Sequence, residues 1–307
     1  MGRDFNYKLY TKGVVEMINY KIPEKLEKIP QKYLIPSFQQ GKLEELRYKT
    51  YDSFNYGRGE KTLEKRVLVY LPYNYNTQKK YNIIYLSHGG WSDESTTMGD
   101  VNSPNPFKNI IDNAIENGNI NPLIIVFVTY NNCGKKDSWD YNLAIRLTYN
   151  FHRELVNDIL PIVEKTYSTY AKSSTKENLK NTREHRGFVG FSMGSVNTWR
   201  TFENALDYFY YFVPMSGNVD ITKNQFEEIV LNSKKRFFIF AMTGDRDFAY
   251  QGFKWQVLSL AGEVFKFGDN ESEGNIAYRQ MSGYKHDRVA AETYIYNALR
   301  FLWKNQD

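Results

Sequence analysis

One cysteine, Cys133, stands in 307 residues, which excludes an internal disulfide and any metal site built from cysteines. A large domain can be secreted without disulfides, so this scarcity leaves the compartment open. No apolar run reaches the roughly 18 residues that a membrane-spanning helix needs. The first residues, Met1 to Phe5, lack the apolar stretch of a secretory signal; either the protein is cytosolic or its signal lies outside this sequence. No G-x-x-x-x-G-K-[ST] or G-x-G-x-x-G string occurs, so nucleotide cofactors have no cradle. Histidine is scarce too, with four in all. His88 beside Asp93 and Glu94 has no second histidine at helical spacing, which argues against a metal centre. The 40 basic and 35 acidic residues are interspersed, and lysine pairs such as Lys79-Lys80 never grow into a basic block. That pattern reads as solvated loop charge and excludes a nucleic-acid partner.

Aromatic residues are plentiful: 25 Tyr, 20 Phe and 5 Trp. Many must fill a core, but flat aromatic surface also suits sugars and phenolic rings. Residues 1–40 are polar with Pro23, Pro30 and Pro36, and read as an N-terminal arm packed on one domain spanning 41–307. Leu43–Tyr51 and Lys65–Leu71 read as an antiparallel pair with one wet face, divided by the Tyr56–Gly59 turn. Further strands are expected at 82–87, 123–129, 187–189, 210–215, 236–242 and 275–281. Helices are expected at 107–117, 148–166, 223–231, 253–260 and 287–304, with a polar surface loop over 170–184. Alternating strands and helices predict an α/β fold, a mostly parallel central sheet with helices on both faces.

The chain is organised around Gly190-Phe191-Ser192-Met193-Gly194, which follows an apolar strand and leads into a helix. This is the G-x-S-x-G elbow in its required setting. The sharp turn lifts the Ser192 hydroxyl above the sheet and leaves the Met193 N–H free to donate to an oxyanion. A second donor is expected from His88-Gly89-Gly90-Trp91, at the end of a central strand, with Gly90 or Trp91 as the residue.

An elbow serine of this kind needs an acid and then a histidine, in chain order, on later strand-end loops. Of the four histidines only His286 follows Ser192, and it sits in a glycine-containing loop before the last helix. The acid falls in Thr243-Gly244-Asp245-Arg246-Asp247. Asp247 is favoured because it stands three residues after Gly244, leaving room for a turn, with Asp245 capping that turn. Asp137-Ser138-Trp139-Asp140 reads equally as a pocket wall or an ordinary loop. Trp91, Trp139 and Trp199 are candidates for the flat aromatic surface that suits a sugar or a phenolic ring.

With these residues in view, the chain resembles the feruloyl esterases of the first carbohydrate esterase family, the esterase modules attached to xylanases, within the α/β-hydrolase superfamily. The likeness runs from about Gly41 through Val67–Pro72, Tyr85–Gly90, Asn150–Leu155, the Ser192 elbow, Gly244–Asp247 and the His286 loop. It departs at Ser195, where the family often has glycine, and at Tyr284-Lys285, where it often has a Gly-rich loop. The resemblance implies Ser192 as nucleophile, Asp247 as acid and His286 as base. It also implies hydrolysis of feruloyl esters on arabinoxylan without a cofactor, secretion, and membership of a larger multi-domain or multi-enzyme assembly. Acetyl xylan esterase activity shares every catalytic feature, thioester or siderophore hydrolase activity shares the fold, and so does an inactive carbohydrate-binding module.

Overall fold

The computed structural model describes residues 20–58 and 62–305. Eight strands form one sheet: β1 (Lys42–Tyr51), β2 (Thr62–Leu71), β3 (Asn82–Ser87), β4 (Leu123–Val128), β5 (Arg186–Phe191), β6 (Tyr211–Met215), β7 (Phe238–Gly244) and β8 (Ile276–Met281). Their spatial order is β1-β2-β4-β3-β5-β6-β7-β8. β1 and β2 pair antiparallel, β2 meets β4 antiparallel, and every pair from β4 to β8 is parallel.

Eight helices accompany the sheet among the described residues: α1 (Pro106–Glu116), α2 (Tyr141–Glu154), α3 (Leu160–Thr166), α4 (Lys176–Asn181), α5 (Met193–Ala205), α6 (Lys223–Ser233), α7 (Tyr250–Ser259) and α8 (Arg288–Phe301). Successive strand side chains point to opposite faces, so each buried strand feeds two cores. Val67, Val69, Ile83, Tyr85 and Val126 join Phe151, Trp199, Phe202 and Phe253 on one face. Leu68, Tyr70, Ile84, Leu86 and Ile125 join Phe107, Ile110, Tyr294 and Ile295 on the other. Helices α2, α5 and α7 therefore cover one face, and α1 and α8 the other. The wet face expected for the β1–β2 pair holds only for β1, the edge strand. β2 is interior, and Val67 to Leu71 are buried on both sides.

Two stretches differ from the sequence reading. The helix expected from residue 148 begins at Tyr141, because Asp140 accepts a hydrogen bond from the Leu143 N–H and caps it. It continues as one π turn over Leu155–Ile159 into α3, with the Leu160 N–H donating to the Leu155 carbonyl. Pro161 follows at once and supplies no N–H, which accounts for the altered ladder at this point. The expected polar loop over 170–184 instead contains α4, with Leu179 and Arg183 buried. Arg183 donates to the Leu206 carbonyl, so this segment is bolted to the domain.

The first half of the expected N-terminal arm, residues 1–19, lies outside the described residues. Residues 20–40 run against the domain: the Ile22 N–H donates to Asp269 O, Arg279 donates to Pro23 O, and Asn297 brackets the Glu27 backbone on both sides. Ile22 and Tyr33 are buried there.

Candidate active site

The elbow joins β5 to α5. Ser192 has φ 60° and ψ −120°, a conformation that costs a non-glycine residue about 1–3 kcal/mol and persists only where the surroundings impose it. They do so by close packing. A Cβ on Gly190 would fall on the Gly194 carbonyl, and one on Gly194 would fall on the Ser87 carbonyl of β3. The Ser192 N–H donates to Met215 O on β6 at 2.8 Å, tying the turn to the sheet.

Two loops at the same sheet edge reach this serine. Nε2 of His286 lies 2.7 Å from Ser192 Oγ, and its Nδ1 lies 2.8 and 2.9 Å from the two Asp247 carboxylate oxygens. The Asp247 side chain is fully buried and also accepts from the Ala249 N–H at 2.7 Å. Asp245 does different work. Its carboxylate accepts from Ser282 Oγ and the Gly283 N–H, clamping the loop that carries His286, and those two donors hold its pKa below the usual range. The rings of Phe248 and Phe191 pack on the imidazole from centroid distances of 4.1 and 4.6 Å.

Met193 opens α5, so its N–H has no acceptor in a preceding turn. On the facing loop, the Trp91 N–H donates to Ser138 O at 2.9 Å, in a residue with φ 54°. The Trp91 N–H, one of the two donors expected from this loop, is thus engaged within the loop region itself. The peptide joining Gly89 to Gly90 is held through its carbonyl, which accepts from Tyr130 OH at 2.8 Å and from His88 Nδ1 at 2.7 Å. In a trans peptide the N–H points opposite its carbonyl, so Gly90 N–H is aimed away from Tyr130. A Cβ placed on Gly89 would lie 3.4 Å from Ser192 Cβ, which shows how closely this loop backs the serine.

With Nδ1 donating to Gly89 O, His88 accepts at Nε2 from Thr129 Oγ1 at 2.8 Å. Burial lowers its pKa to about 4, so the ring is neutral at pH 7. The unfolded chain binds that proton near pH 6.5, hence His88 favours the fold fully above pH 6.5 and loses the contribution as pH falls to about 4. The whole effect is about 3 kcal/mol. Denaturant unfolding of wild type and His88→Gln from pH 7 to 4 is expected to show a shallower acid decline in the variant. Parallel declines would contradict this.

Two clefts meet at Ser192 and His286. The larger, about 470 Å³, is walled by Tyr141, Met193, Val196, Gly217 and Asn218. The smaller, about 300 Å³, runs past Phe191, Thr96 and Thr97 toward Arg288 and Glu292. Trp91 and Phe248, both exposed, line both clefts.

The aromatic and acidic candidates outside this relay land elsewhere. Trp199 is fully buried, its indole N–H donating to Gly217 O at 3.1 Å; it packs the core and braces the elbow from behind instead of facing substrate. Asp137 accepts from the Asn132 and Cys133 N–H groups and so shapes its own loop. Trp139 is half exposed and does not line either cleft; Ser138, its neighbour on the 3₁₀ turn Lys135–Trp139, does. Sequence reasoning missed Tyr130, Phe248, Tyr141 and Asn218, whose roles arise only from tertiary placement.

A mostly parallel eight-stranded sheet, helices on both faces and a strained serine between β5 and α5 define the α/β-hydrolase class. The family described as "Putative esterase" matches residues 62–284. Over 287 residues the chain is 37% identical to endo-1,4-beta-xylanase Y of Acetivibrio thermocellus, covering 89% of this chain and 24% of that protein. It is 26% identical over 212 residues to an endo-1,4-beta-xylanase/feruloyl esterase of Xylanibacter ruminicola, covering 67% of this chain and 26% of that one. It therefore spans about a quarter of the length of these relatives. Among solved structures, a mutant feruloyl esterase module from Clostridium thermocellum, complexed with sinapinate, superposes with TM-score 0.80 at 33% identity, over 94% of this chain and 97% of that one. A ferulic acid esterase from Anaeromyces mucronatus shares the fold, with TM-score 0.66 at 18% identity over 92% and 100% of the two chains. The chain belongs to this esterase family and is a carboxylic ester hydrolase.

Proposed function

We propose that the chain hydrolyses hydroxycinnamoyl esters, feruloyl esters of plant arabinoxylan foremost, through Ser192, His286 and Asp247. The observation that carries the chemistry is the continuous hydrogen-bonded relay from Asp247 through His286 to the strained Ser192 at the meeting of two clefts. His286 Nε2 takes the hydroxyl proton as Ser192 Oγ bonds to the ester carbon, and Asp247 stabilises the imidazolium at Nδ1. The carbonyl oxygen gathers negative charge opposite the Met193 and Gly90 N–H groups, which are fixed beforehand and need no reorganisation. Collapse breaks the bond to the sugar oxygen, which leaves with the proton from His286. Water, activated by the same imidazole, then attacks the acyl-enzyme and frees the acid and Ser192. No step calls for a cofactor.

The two clefts divide the substrate between them. The larger suits a planar aromatic acid against Tyr141 and Phe248. The smaller, bounded by Asp287 and Arg288 just beyond the base, takes the alcohol that His286 protonates. The relatives that name feruloyl esterase or carry a sinapinate ligand support the same acyl class. Their length supports the further reading that this chain is the esterase module of a larger assembly, and the proposed plant-polymer substrate places that assembly outside the cell.

The test is release of ferulate from methyl ferulate and from feruloylated arabinoxylan, beside release of acetate from acetyl xylan. Ferulate release at the higher kcat/KM is expected. Acetate release alone would move the substrate to acetyl esters and contradict the proposed acyl class.

A further inference from the structure

The smaller cleft ends in a feature that a simple alcohol would leave unused. Glu292 lies on the second turn of α8, lines this cleft, and has a side chain only 10% exposed. Its Oε1 is buried without a hydrogen-bond partner. Arg288 stands one turn earlier on the same helix face, but its Nε is 3.7 Å from Oε1, beyond hydrogen-bond range, and its side chain is largely exposed at the cleft mouth. An ordinary solvated i,i+4 ion pair keeps both ends in water and costs nothing to leave loose. Here one acceptor is buried and unsatisfied, which is costly unless something donates to it. Burial accordingly raises the Glu292 pKa, with Arg288 pulling partly the other way.

The surroundings limit what that donor can be. Leu86, Phe191 and Ile295 make the cleft apolar, and exposed Trp91 and Phe248 flank its mouth. The occupant therefore presents an apolar face to these walls and a hydroxyl to Glu292. A sugar ring does both, with its C–H face on the aromatics and its hydroxyls at the edge.

We infer that Glu292 and Arg288 form a hydroxyl-reading subsite for the sugar of the leaving alcohol, Glu292 accepting from one ring hydroxyl and the Arg288 guanidinium donating to a neighbouring oxygen. This rests on the assignment of the smaller cleft to the alcohol. The subsite makes the enzyme selective for esters of sugars over esters of simple alcohols, whatever the acyl group.

The measurement is the ratio of kcat/KM for a feruloylated arabinoxylo-oligosaccharide to that for methyl ferulate, in wild type, Glu292→Leu and Arg288→Ala. A ratio is used because both substrates report on the same folded fraction, so partial misfolding of a variant cancels. Loss of a hydrogen bond to a charged group predicts a fall in the ratio of about tenfold or more for Glu292→Leu, which has no acceptor, and a smaller fall for Arg288→Ala. A ratio that stays within twofold of wild type in both variants would overturn the subsite while leaving the feruloyl reading intact. If wild type cleaves neither feruloyl ester, the acyl assignment fails. The same ratio is then taken between acetylated xylobiose and methyl acetate, where the tenfold fall or its absence decides the subsite in the same way.

Discussion

Ser192→Ala is expected to lose at least about three orders of magnitude in kcat on any ester the enzyme turns over. The side chain is small and the alanine fits the same turn, so the fold has no reason to change. What disappears is the hydroxyl oxygen that His286 Nε2 faces at 2.7 Å, and with it the proposed acyl-enzyme. The remaining rate comes from water attacking an ester still bound opposite the Met193 and Gly90 N–H groups. If Ser192 and His286 act as the proposed nucleophile and base, Ser192→Ala with His286→Ala together should be little worse than either alone. Multiplicative losses in the double variant would mean the two residues act independently.

The second large effect separates two aspartates that stand two residues apart. Asp247→Asn is expected to lower kcat by about 10⁴, since an amide that donates toward His286 Nδ1 favours the wrong tautomer and no longer stabilises the imidazolium. Asp245→Asn keeps an oxygen to accept from Ser282 and Gly283 and should change kcat by less than about tenfold, through looser placement of the His286 loop. Steady-state kinetics on methyl ferulate for both variants checks the assignment. Similar losses in the two would show that Asp247 merely holds the loop.

Much of this site was legible because it is written in local, directional signals. Glycines flanking a serine between a strand and a helix imply the elbow, and chain order leaves His286 as the only histidine that can follow. The expected acid was confined to one five-residue loop, where the turn from Gly244 favoured Asp247, and the structure puts that carboxylate 2.8 Å from His286 Nδ1. The residues that escaped are those whose direction depends on neighbours distant in sequence. Trp199 shares a helical stripe with Val196 and Phe202, a spacing that buries it beneath the sheet. On the tight 3₁₀ turn, Ser138 faces the cleft and so turns Trp139 away. The fold followed the same rule. Strands and helices came from periodicity, whereas the early start of α2 depended on the Asp140 cap, and the docking of the 170–184 stretch on Leu179 of α4 and on Arg183 in the turn after it. His88 shows the same limit within the motif itself: its backbone belongs to the strand-end loop, but its ring supports the Gly89 carbonyl through a contact that no spacing announces.

The proposed chemistry turns on the passage of a hydroxycinnamoyl group through Ser192. The direct measurement is rapid acid quench of wild type mixed with methyl ferulate, followed by peptide mass analysis. A feruloyl adduct is expected on the peptide carrying Ser192, formed within the first turnover and absent from Ser192→Ala. Ferulate released at the full rate with no adduct at Ser192, or with the variant still active, would contradict it.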